Sequence, residues 1–331
     1  MPMVATIDDV AEAAGVSPST VSYVLSGKRS ISAPTRARVE AAIKALDYRP
    51  HAGARALASN RTNVIALQSP LREGVDVAII MQFVTGVVTR AREYNYDVLL
   101  NASETTGSNG SAIQRIAGGS MVDGLVIMDI ESDDWRVPIL RKLRQPSVLI
   151  GIPDDPQGLS CIDLDFKAAG RLAVSHYAKT GHKDIGVLGS PKEVLNRGTA
   201  YAVRMKEGLY EEAARQGVSV HYKSCDTSHQ GAVSALTQLL TENPGITALV
   251  IHNEVAMPFM LGALRDLGRD VPADISLMAI CPSNMAASQP IPITNIDLPA
   301  LEIGQLTVDM VMARLEGDVP TETRLISPEL I

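Results

Sequence analysis

The sequence predicts an N-terminal all-α helix-turn-helix head, followed by an α/β core of two doubly wound parallel-sheet lobes. Residues 6–25 have the spacing of two short helices joined by a glycine turn. From Asn63 onward, short apolar runs alternate with helical stretches in two successive series, a pattern typical of parallel sheets with crossover helices. A chain of 331 residues is also too long for one ordinary core. We therefore assign the head to residues 1–49, a linker to 50–61 and the core to 62–331.

The helices of the head are marked by local signals. Thr6 is suited to cap the first helix, with Asp9 three residues further on, and Gly15 suits the left-handed turn that ends it. Ser17 is the expected cap of the second helix, and Pro18 occupies its first turn, where no amide hydrogen is needed. A third helical stretch follows, whose apolar residues form one stripe. The expected core of the head is Ile7, Val10, Val21, Leu25, Val39 and Leu46.

Three short helices around one core form a helix-turn-helix domain, whose second helix enters the major groove of DNA. At this level of detail the sequence resembles the LacI/GalR family of bacterial transcriptional regulators. The resemblance rests on TIDDVAEAAGVSPSTVSYVL at 6–25, VEAA at 39–42 and YRP at 48–50, and continues through ARALA at 54–58. It implies a DNA-binding head, a hinge that becomes ordered on DNA and a core like that of periplasmic binding proteins.

The resemblance also implies which side chains of the head contact DNA. Pro18, Ser19 and Tyr23 correspond to base-reading positions, although many members have arginine where Tyr23 stands. Because tyrosine offers one hydroxyl and a ring, the half-site sequence stays open, and closing the small core is the alternative role of this ring. Solvated surface charge is the alternative for the basic residues. The other expected groove or backbone contacts are Thr6, Ser17, Thr20, Ser22, Lys28, Arg29, Arg36 and Arg55.

The linker at 50–61 allows two interpretations. It is rich in alanine and has too little apolar surface to fold alone, which favours a flexible connection. The resemblance favours a helix that forms only on DNA, with the ordering cost met by binding. In that case Leu57 is the apolar wedge that opens a minor-groove step, and Ala54 packs beside it.

Charge is distributed unevenly along the chain. The net charge is −7, with 30 Lys and Arg against 37 Asp and Glu. Residues 1–61 nevertheless hold eight Lys and Arg against five Asp and Glu. A basic head on an acidic body is typical of a protein that contacts phosphates with one end only.

The core sequence divides into two series of strands and helices. The strands are expected at 64–68, 97–101, 124–129 and 147–150, and then at 184–188, 248–251 and 276–280. The helices are expected near 77–94, 111–117, 135–143, 166–180, 200–216, 231–241 and 255–267. By the resemblance, the chain crosses between the lobes near 161–163, near 291–296 and at the last residues. Lobe 1 then comprises about 62–161 and 292–331, and lobe 2 about 162–291.

An effector site is expected where the strands of both lobes end, because ligands of such sheets lie beyond the carboxyl ends of strands. Asp129 and Asn253 each follow a predicted strand, and the resemblance adds Ile79, Ile80 and Arg204. The ligand carboxylate that relatives carry after a later strand is absent here, where residues 279–282 read AICP.

The sequence predicts a regulator that needs neither a metal nor a cofactor. It contains no nucleophile elbow and no phosphate-binding glycine loop, and its six histidines and three cysteines lack metal-ligand spacing. A sugar-modifying enzyme with a DNA-binding head is the other class considered. The expected partners are operator DNA and a small effector, which is a mono- or oligosaccharide or, alternatively, a purine or nucleoside.

Two further expectations concern location and assembly. No apolar run reaches the length of a membrane span and no signal peptide is recognisable, so we expect a cytoplasmic protein. No heptad repeat follows the core, and recognition of a palindrome requires two heads, so we expect a homodimer.

Overall fold

The head consists of three short helices with the predicted caps. The computed structural model describes residues 5–27, 29–48, 61–69, 76–102, 111–119 and 121–331. Asp9 donates its amide to Thr6 Oγ1 at 3.3 Å, while the Thr6 amide donates to Asp9 Oδ2 at 2.7 Å. Gly15 ends the first helix with φ 64°, and the Thr20 amide donates to Ser17 Oγ at 3.3 Å. These caps confirm the local predictions for helices α1 (Ile7–Ala14) and α2 (Pro18–Ser26), which precede α3 (Ala33–Ala45).

The core of the head differs from the prediction at two leucines. Val10, Val21 and Val39, one from each helix, are completely buried as predicted, and Ile7 is half-buried. Leu25 and Leu46, however, are 40% and 38% exposed. The buried face of α2 lies between Val21 and Val24, so Leu25 stands at its edge, and Leu46 follows the last residue of α3. The core is completed instead by Ala11, Ala14, Val24, Ala42 and Tyr48.

Two all-parallel sheets form the core. The first has six strands in the order β11-β5-β4-β3-β1-β2, and the second has five in the order β10-β9-β8-β6-β7. In the register of the first sheet, Ile65 lies beside Val98 on one side and Gly124 on the other. The strands are β1 (Val64–Gln68), β2 (Asp97–Asn101), β3 (Gly124–Ile127), β4 (Ser147–Ile150), β5 (Ser160–Leu164), β6 (Asp184–Gly189), β7 (Ser219–Ser224), β8 (Ala248–Ile251), β9 (Ser276–Cys281), β10 (Thr294–Asp297) and β11 (Thr323–Ile326).

Helices connect these strands and cover the sheets. They are α4 (Val77–Glu93), α5 (Ser111–Gly118), α6 (Val137–Leu140), α7 (Phe166–Lys179), α8 (Lys192–Asn196), α9 (Ala200–Gln216), α10 (His229–Glu242), α11 (Met257–Asp266), α12 (Ser283–Ala287) and α13 (Ala300–Glu316), with a 3-10 turn at Glu254–Ala256. None of the helices in the described ranges is long and apolar enough to cross a membrane.

The two sheets share one topology. Leaving β11 aside, each has its second strand at one edge and its first strand next to it, in the orders β2-β1-β3-β4-β5 and β7-β6-β8-β9-β10. In both sheets the second strand therefore lies on one side of the first strand and all later strands lie on the other side. At such a switch point a crevice forms at the carboxyl ends of the strands.

The chain crosses between the lobes three times. Ser160–Leu164 completes the first sheet, and Thr294–Asp297 pairs with β9 in the second sheet. The first two crossings therefore follow Leu164 and Asp297, a few residues later than predicted. At the third crossing, the last residues return to the second lobe, where Ile331 and Asn295 exchange backbone hydrogen bonds of 2.8 and 3.0 Å.

In each lobe, one pair of helices packs in direct backbone contact. In the first lobe, a Cβ added to Gly86 of α4 would lie 2.1 Å from the carbonyl oxygen of Leu301 in α13. A Cβ on Gly304 of α13 would lie 2.4 Å from the carbonyl oxygen of Phe83. Gly170 of α7 and Gly208 of α9 form the corresponding pair in the second lobe. Glycine at these positions lets the helix axes approach more closely than any side chain would permit.

Candidate nucleic-acid interface and ligand cavity

The first turn of α2 presents a group of hydroxyls to solvent. Ser17 Oγ lies 3.1 Å from Ser19 Oγ and 3.0 Å from Thr20 Oγ1. Pro18 and Ser19 are exposed, whereas Thr20 and Ser22 are half-buried. Because the positive end of the helix dipole lies at the same place, this end of α2 is chemically suited to an anion such as a DNA phosphate.

Tyr23 lies further along the same helix and does not join the core of the head. Its ring is half-buried, and the Arg29 guanidinium carbon lies 5.4 Å from the ring centroid, within the range of a cation–π contact. Arg29 forms no ion pair with any residue that the structure describes. The tyrosine ring therefore holds a free guanidinium next to α2.

The other predicted DNA contacts are placed differently. The Thr6 hydroxyl donates to Asp9 Oδ2 at 2.7 Å, so a phosphate there would compete with a carboxylate. Arg36 forms an exposed ion pair of 4.0 Å with Glu40. Lys28, Ala54, Arg55 and Leu57 lie outside the described residues.

A cavity of about 790 Å³ lies between the two lobes, at the carboxyl ends of their strands. The first lobe contributes residues of α4, the segment after β3 and Asp163 of β5. The second lobe contributes Phe166, Tyr201, His252 and Glu254. A ligand in this cavity would contact both lobes at once.

The structure brings together three of the five predicted effector residues. Ile79, Ile80 and Asp129 line the cavity. Asn253 is buried, and its side-chain amide donates to the carbonyl oxygen of Cys225 at 2.6 Å, away from the cavity wall. Arg204 also lies outside the wall, although its charge is close enough to Asp163 to offset part of the rise that burial causes in the pKa of that carboxyl.

Several residues of the cavity wall were not predicted from the sequence. Ser69, Asp76 and Asp163 come from the first lobe, and Tyr201 and Glu254 from the second. Glu254 follows a predicted strand directly after Asn253, so the rule that ligands lie beyond strand ends could have identified it. No local signal marks Asp163, because it lies within β5 rather than after it.

Backbone pairing closes one side of the cavity. The segments 130–132 of the first lobe and 198–200 of the second run antiparallel, with the Ser132 amide 2.7 Å from the Gly198 carbonyl oxygen and the Ala200 amide 2.9 Å from that of Ile130. Arg197 adds an ion pair of 3.4 Å with Asp129. We refer to these contacts between 129–132 and 197–200 as the interlobe clasp.

A buried ion pair positions the segment that carries Asp129. The side chains of Arg136 and Asp134 are 3% and 1% exposed and lie 2.6 Å apart. Arg136 also donates to the carbonyl oxygens of Met128 and Asp129 at 3.1 and 2.7 Å. Burial opposes ionisation of Asp134, but the hydrogen bonds and charge of Arg136 prevail and lower its pKa. The pair thus fixes the chain on the first-lobe side of the clasp.

Two carboxyl groups in the cavity form no ion pair with any residue that the structure describes. Asp163 accepts a hydrogen bond of 2.9 Å from the Leu164 amide, and among the described residues neither Asp163 nor Glu254 forms an ion pair. Burial raises the pKa of Asp163 to about 7 and that of Glu254 to about 7. Burial therefore disfavours the charged form of both groups.

Aromatic rings form the second-lobe side of the cavity. The Phe166, Tyr201 and His252 rings lie 5.5 to 5.7 Å apart, centroid to centroid. Burial lowers the pKa of His252 to about 4, so the imidazole is neutral at physiological pH. Its Nδ1 has no hydrogen-bond partner in the described part of the chain. These rings offer an apolar face beside the carboxyl groups.

Replacing Asp163 by asparagine is expected to stabilise the protein in a pH-dependent way. The folded-state pKa of about 7 lies above the ordinary 3.8, so the folded protein binds the proton more tightly than the unfolded chain. Between the two pKa values the unfolded chain has lost this proton and the folded protein still holds it, so the stability of the wild type falls with rising pH over this range, whereas that of the neutral amide does not. Thermal scans should show the melting temperature of D163N rising relative to that of the wild type between about pH 4 and pH 7 and keeping a constant difference above that range. The exposed-site control Asp154→Asn should show a flat difference, and a flat difference for D163N would contradict the assignment.

The described residues suggest neither a metal site nor a reactive thiol. No group of three or more His, Cys, Asp and Glu side chains within them could hold a metal ion. Cys161, Cys225 and Cys281 are buried, and burial raises each thiol pKa to about 12. Such thiols are poor nucleophiles at physiological pH.

Comparisons with known proteins agree with this architecture. Residues 6–51 match the family model of bacterial regulatory proteins, lacI family. Residues 174–331 match the model of a periplasmic binding protein-like domain. The HTH-type transcriptional regulator CelR of Thermobifida fusca is 27% identical, over 97% of this chain and 95% of its own. The HTH-type transcriptional repressor PurR of Proteus mirabilis (strain HI4320) is 29% identical, over 94% and 90%.

Solved structures show the same arrangement. A complex of the transcriptional regulator CelR with cellobiose has a TM-score of 0.69 and 25% identity, and the match covers 99% of this chain and 98% of that one. The lac repressor dimer bound to operator and the anti-inducer ONPF has a TM-score of 0.85 at 24% identity with the same coverage. The likeness to the latter establishes the fold.

Proposed function

The chain belongs to the LacI family of bacterial regulatory proteins and is a DNA-binding transcriptional regulator, and we propose that it represses genes of carbohydrate uptake or catabolism. In this proposal it acts in the cytoplasm as a homodimer on a palindromic operator, and a sugar in the interlobe cavity releases it. It has no catalytic role. The observation that carries the proposal is the 790 Å³ cavity, whose walls come from both lobes.

The chemistry of the cavity supports a sugar. Carboxylates accept hydrogen bonds from several hydroxyls, and an aromatic ring covers the apolar face of a pyranose. Asp129 and Asp163 supply the first feature, and Phe166 and Tyr201 supply the second. CelR, a relative that covers nearly the whole chain, has been solved with cellobiose. The PurR relatives make a purine the alternative effector, which the experiment below includes.

An exposed apolar surface on the first lobe supports the homodimer. Val77 and Met81 are 54% and 46% exposed and lie one turn apart on α4. Leu100 and Met121, also in the first lobe, are 43% and 47% exposed. Exposed apolar side chains one helical turn apart, as Val77 and Met81 are, belong to the kind of patch found at interaction surfaces. A dimer formed through the first lobes would bring two heads to one DNA site.

Release of DNA requires that the effector prefer one conformation of the lobes. Reversing a 1:99 population to 99:1 takes about 5.5 kcal/mol of differential binding free energy. A ligand that touches only one lobe gains little from closure, whereas a ligand held by Asp129 and Tyr201 contacts both. The position of the cavity is therefore suited to a switch.

Selection of bound DNA from a random pool tests the proposed function. We expect enrichment of a palindrome with two equal half-sites, and loss of bound DNA when one of a panel of sugars is added. Nucleobases and nucleosides form a second panel for the purine alternative, and each sugar should be recovered unchanged after incubation with the protein. Failure to enrich any duplex, with or without these compounds, would refute the proposal.

Replacing Arg29 by glutamine is expected to weaken DNA binding without changing sequence preference. If its free guanidinium neutralises one phosphate, its loss should lower the slope of log K against log salt by about 0.9. Affinities for the selected operator and for random DNA should fall by similar factors, as fluorescence anisotropy at several salt concentrations would show. Lys142→Gln removes the same charge from the exposed surface of the first lobe and should leave the slope unchanged. A selective loss of operator affinity would instead assign Arg29 to base reading.

A further inference from the structure

Two carboxylates face each other across the cleft. Asp76 belongs to the first lobe and caps α4, where its Oδ1 accepts hydrogen bonds from the amides of Ala78 and Ile79 at 2.7 and 3.3 Å. Glu254 belongs to the second lobe and follows β8. Both line the cavity, and the negative charge of Asp76 adds to burial in raising the pKa of Glu254. The lobes therefore meet at two carboxyl groups whose ionised forms repel each other.

The rest of the cavity does not compensate these charges. Asp129 is paired with Arg197 in the interlobe clasp, but Asp163 has no such partner among the described residues. The described residues of the cavity wall include four carboxyl side chains and no lysine or arginine. In a cavity of this composition an anionic ligand would be repelled, and a cation would supply the missing counter-charge.

The cavity wall also contains two buried polar side chains that form no hydrogen bond at one of their polar atoms within the described chain. Ser69 and His252 are 1% and 2% exposed and line the cavity, and Ser69 Oγ and His252 Nδ1 form no hydrogen bond within the described chain. Buried polar atoms without partners are rare in folded proteins, because each costs free energy comparable to a lost hydrogen bond. They indicate that the ligand has polar groups besides its charge. The Phe166 and Tyr201 rings provide faces that attract an ammonium group.

We infer that the effector of this regulator is an amine-bearing sugar, whose ammonium group bridges Asp76 of the first lobe and Glu254 of the second. The inference rests on the proposed function, in which a sugar binds the interlobe cavity. Binding replaces one repulsion across the cleft by two attractions, so the ligand favours the closed lobes over the open ones. A neutral sugar of the same shape would leave the repulsion in place.

Three disaccharides with the same β-1,4-linked backbone test the inference. The β-1,4-linked dimer of glucosamine, cellobiose and the β-1,4-linked dimer of N-acetylglucosamine differ only in an ammonium, a hydroxyl or an acetamide at the same carbon. Titration calorimetry of the full-length protein near neutral pH is expected to show the glucosamine dimer binding at least tenfold more tightly than either neutral dimer. Free glucosamine and glucose provide the same comparison for a single ring. Equal or tighter binding of the neutral members, or no binding of either amine at about 1 mM, would overturn the inference.

Substitutions at the bridge separate a charge effect from a change of shape. Glu254→Gln keeps the size of the side chain, and Asp76→Asn keeps a residue that can cap α4. Each is expected to reduce affinity for the glucosamine dimer by about tenfold or more, while affinity for cellobiose stays the same or rises. The control Glu193→Gln makes the same chemical change at an exposed position outside the cavity and should change neither affinity. An equal loss of affinity for both sugars would show a structural role and contradict the bridge.

DNA release distinguishes failure of this inference from failure of the proposed function. If the glucosamine dimer releases the selected operator at lower concentrations than cellobiose does, the inference and the proposed function are both supported. If cellobiose or another neutral sugar releases the operator and the amines do not, the inference is overturned and the proposed function remains. If the protein selects no operator, the proposed function fails, and the calorimetric comparison still decides the charge of the ligand.

Discussion

Replacing Gly86 by alanine is expected to destabilise the core by about 3 kcal/mol or more, a large effect for a single methyl group. The added Cβ would lie 2.1 Å from the Leu301 carbonyl oxygen and 3.2 Å from the Gln305 amide nitrogen. Both are backbone atoms of α13, which cannot move aside as a flexible side chain could. The helices must separate, and the contacts that both make with the first sheet are then lost. Urea unfolding followed by circular dichroism measures the effect.

Gly262 in α11 provides the matched control. It is also a helical glycine, but a Cβ at this position would meet nothing within 4 Å. Gly262→Ala is expected to stabilise the protein by about 0.5 to 1 kcal/mol, because alanine loses less conformational freedom in a helix. Opposite signs for the two variants would confirm that the close approach of α4 and α13 is responsible. Equal effects would contradict it.

Replacing Val21 by asparagine is expected to abolish operator binding, with a loss of at least about 100-fold, while effector binding is retained. Val21 is completely buried where the three head helices meet. A buried amide without partners costs about 1 to 3 kcal/mol, and loss of the valine adds to this. A domain as small as the head has little stability in reserve. The described core of the head contains no residue beyond Tyr48, so the lobes should be unaffected.

Three measurements check this separation. Anisotropy with the selected operator should show the loss of DNA binding, calorimetry should show unchanged sugar affinity, and thermal scans should show an unchanged unfolding transition for the lobes. Ala13→Asn places the same side chain on the exposed face of α1 and should retain operator binding. Loss of effector binding in the Val21 variant would mean that the head and the lobes form one cooperative unit.

The head could be predicted from sequence almost residue by residue because its signals are local. Thr6, Gly15 and Ser17 act within one helical turn of their own positions, so their spacing alone determines where helices begin and end. Strand β7 was missed for the opposite reason. It is an edge strand of sequence SVHYKS, mostly half-exposed, and it lacks the apolar run on which strand prediction depends.

The cavity was only partly predictable, because its charged residues are distant in sequence. Asp76, Asp163 and Glu254 are brought together by the strand order of two sheets and by the meeting of two lobes. The spacing of these residues along the chain does not indicate that the two lobes bring them together. The resemblance to a family supplied Ile79 and Ile80, and the end of a predicted strand supplied Asp129, but the other charged residues of the cavity had to be found from the structure.

The interlobe clasp has a consequence for timing. Hydrogen bonds of 2.7 and 2.9 Å join the backbone of 130–132 to that of 198–200, and Arg197 adds its ion pair with Asp129. A ligand can pass through this side of the cavity only after these two hydrogen bonds and the ion pair have broken. If an effector releases the regulator from DNA, as we propose, a molecule held behind the clasp would keep transcription on for as long as the clasp lasts. The lifetime of one short stretch of paired backbone would then set how quickly transcription shuts off.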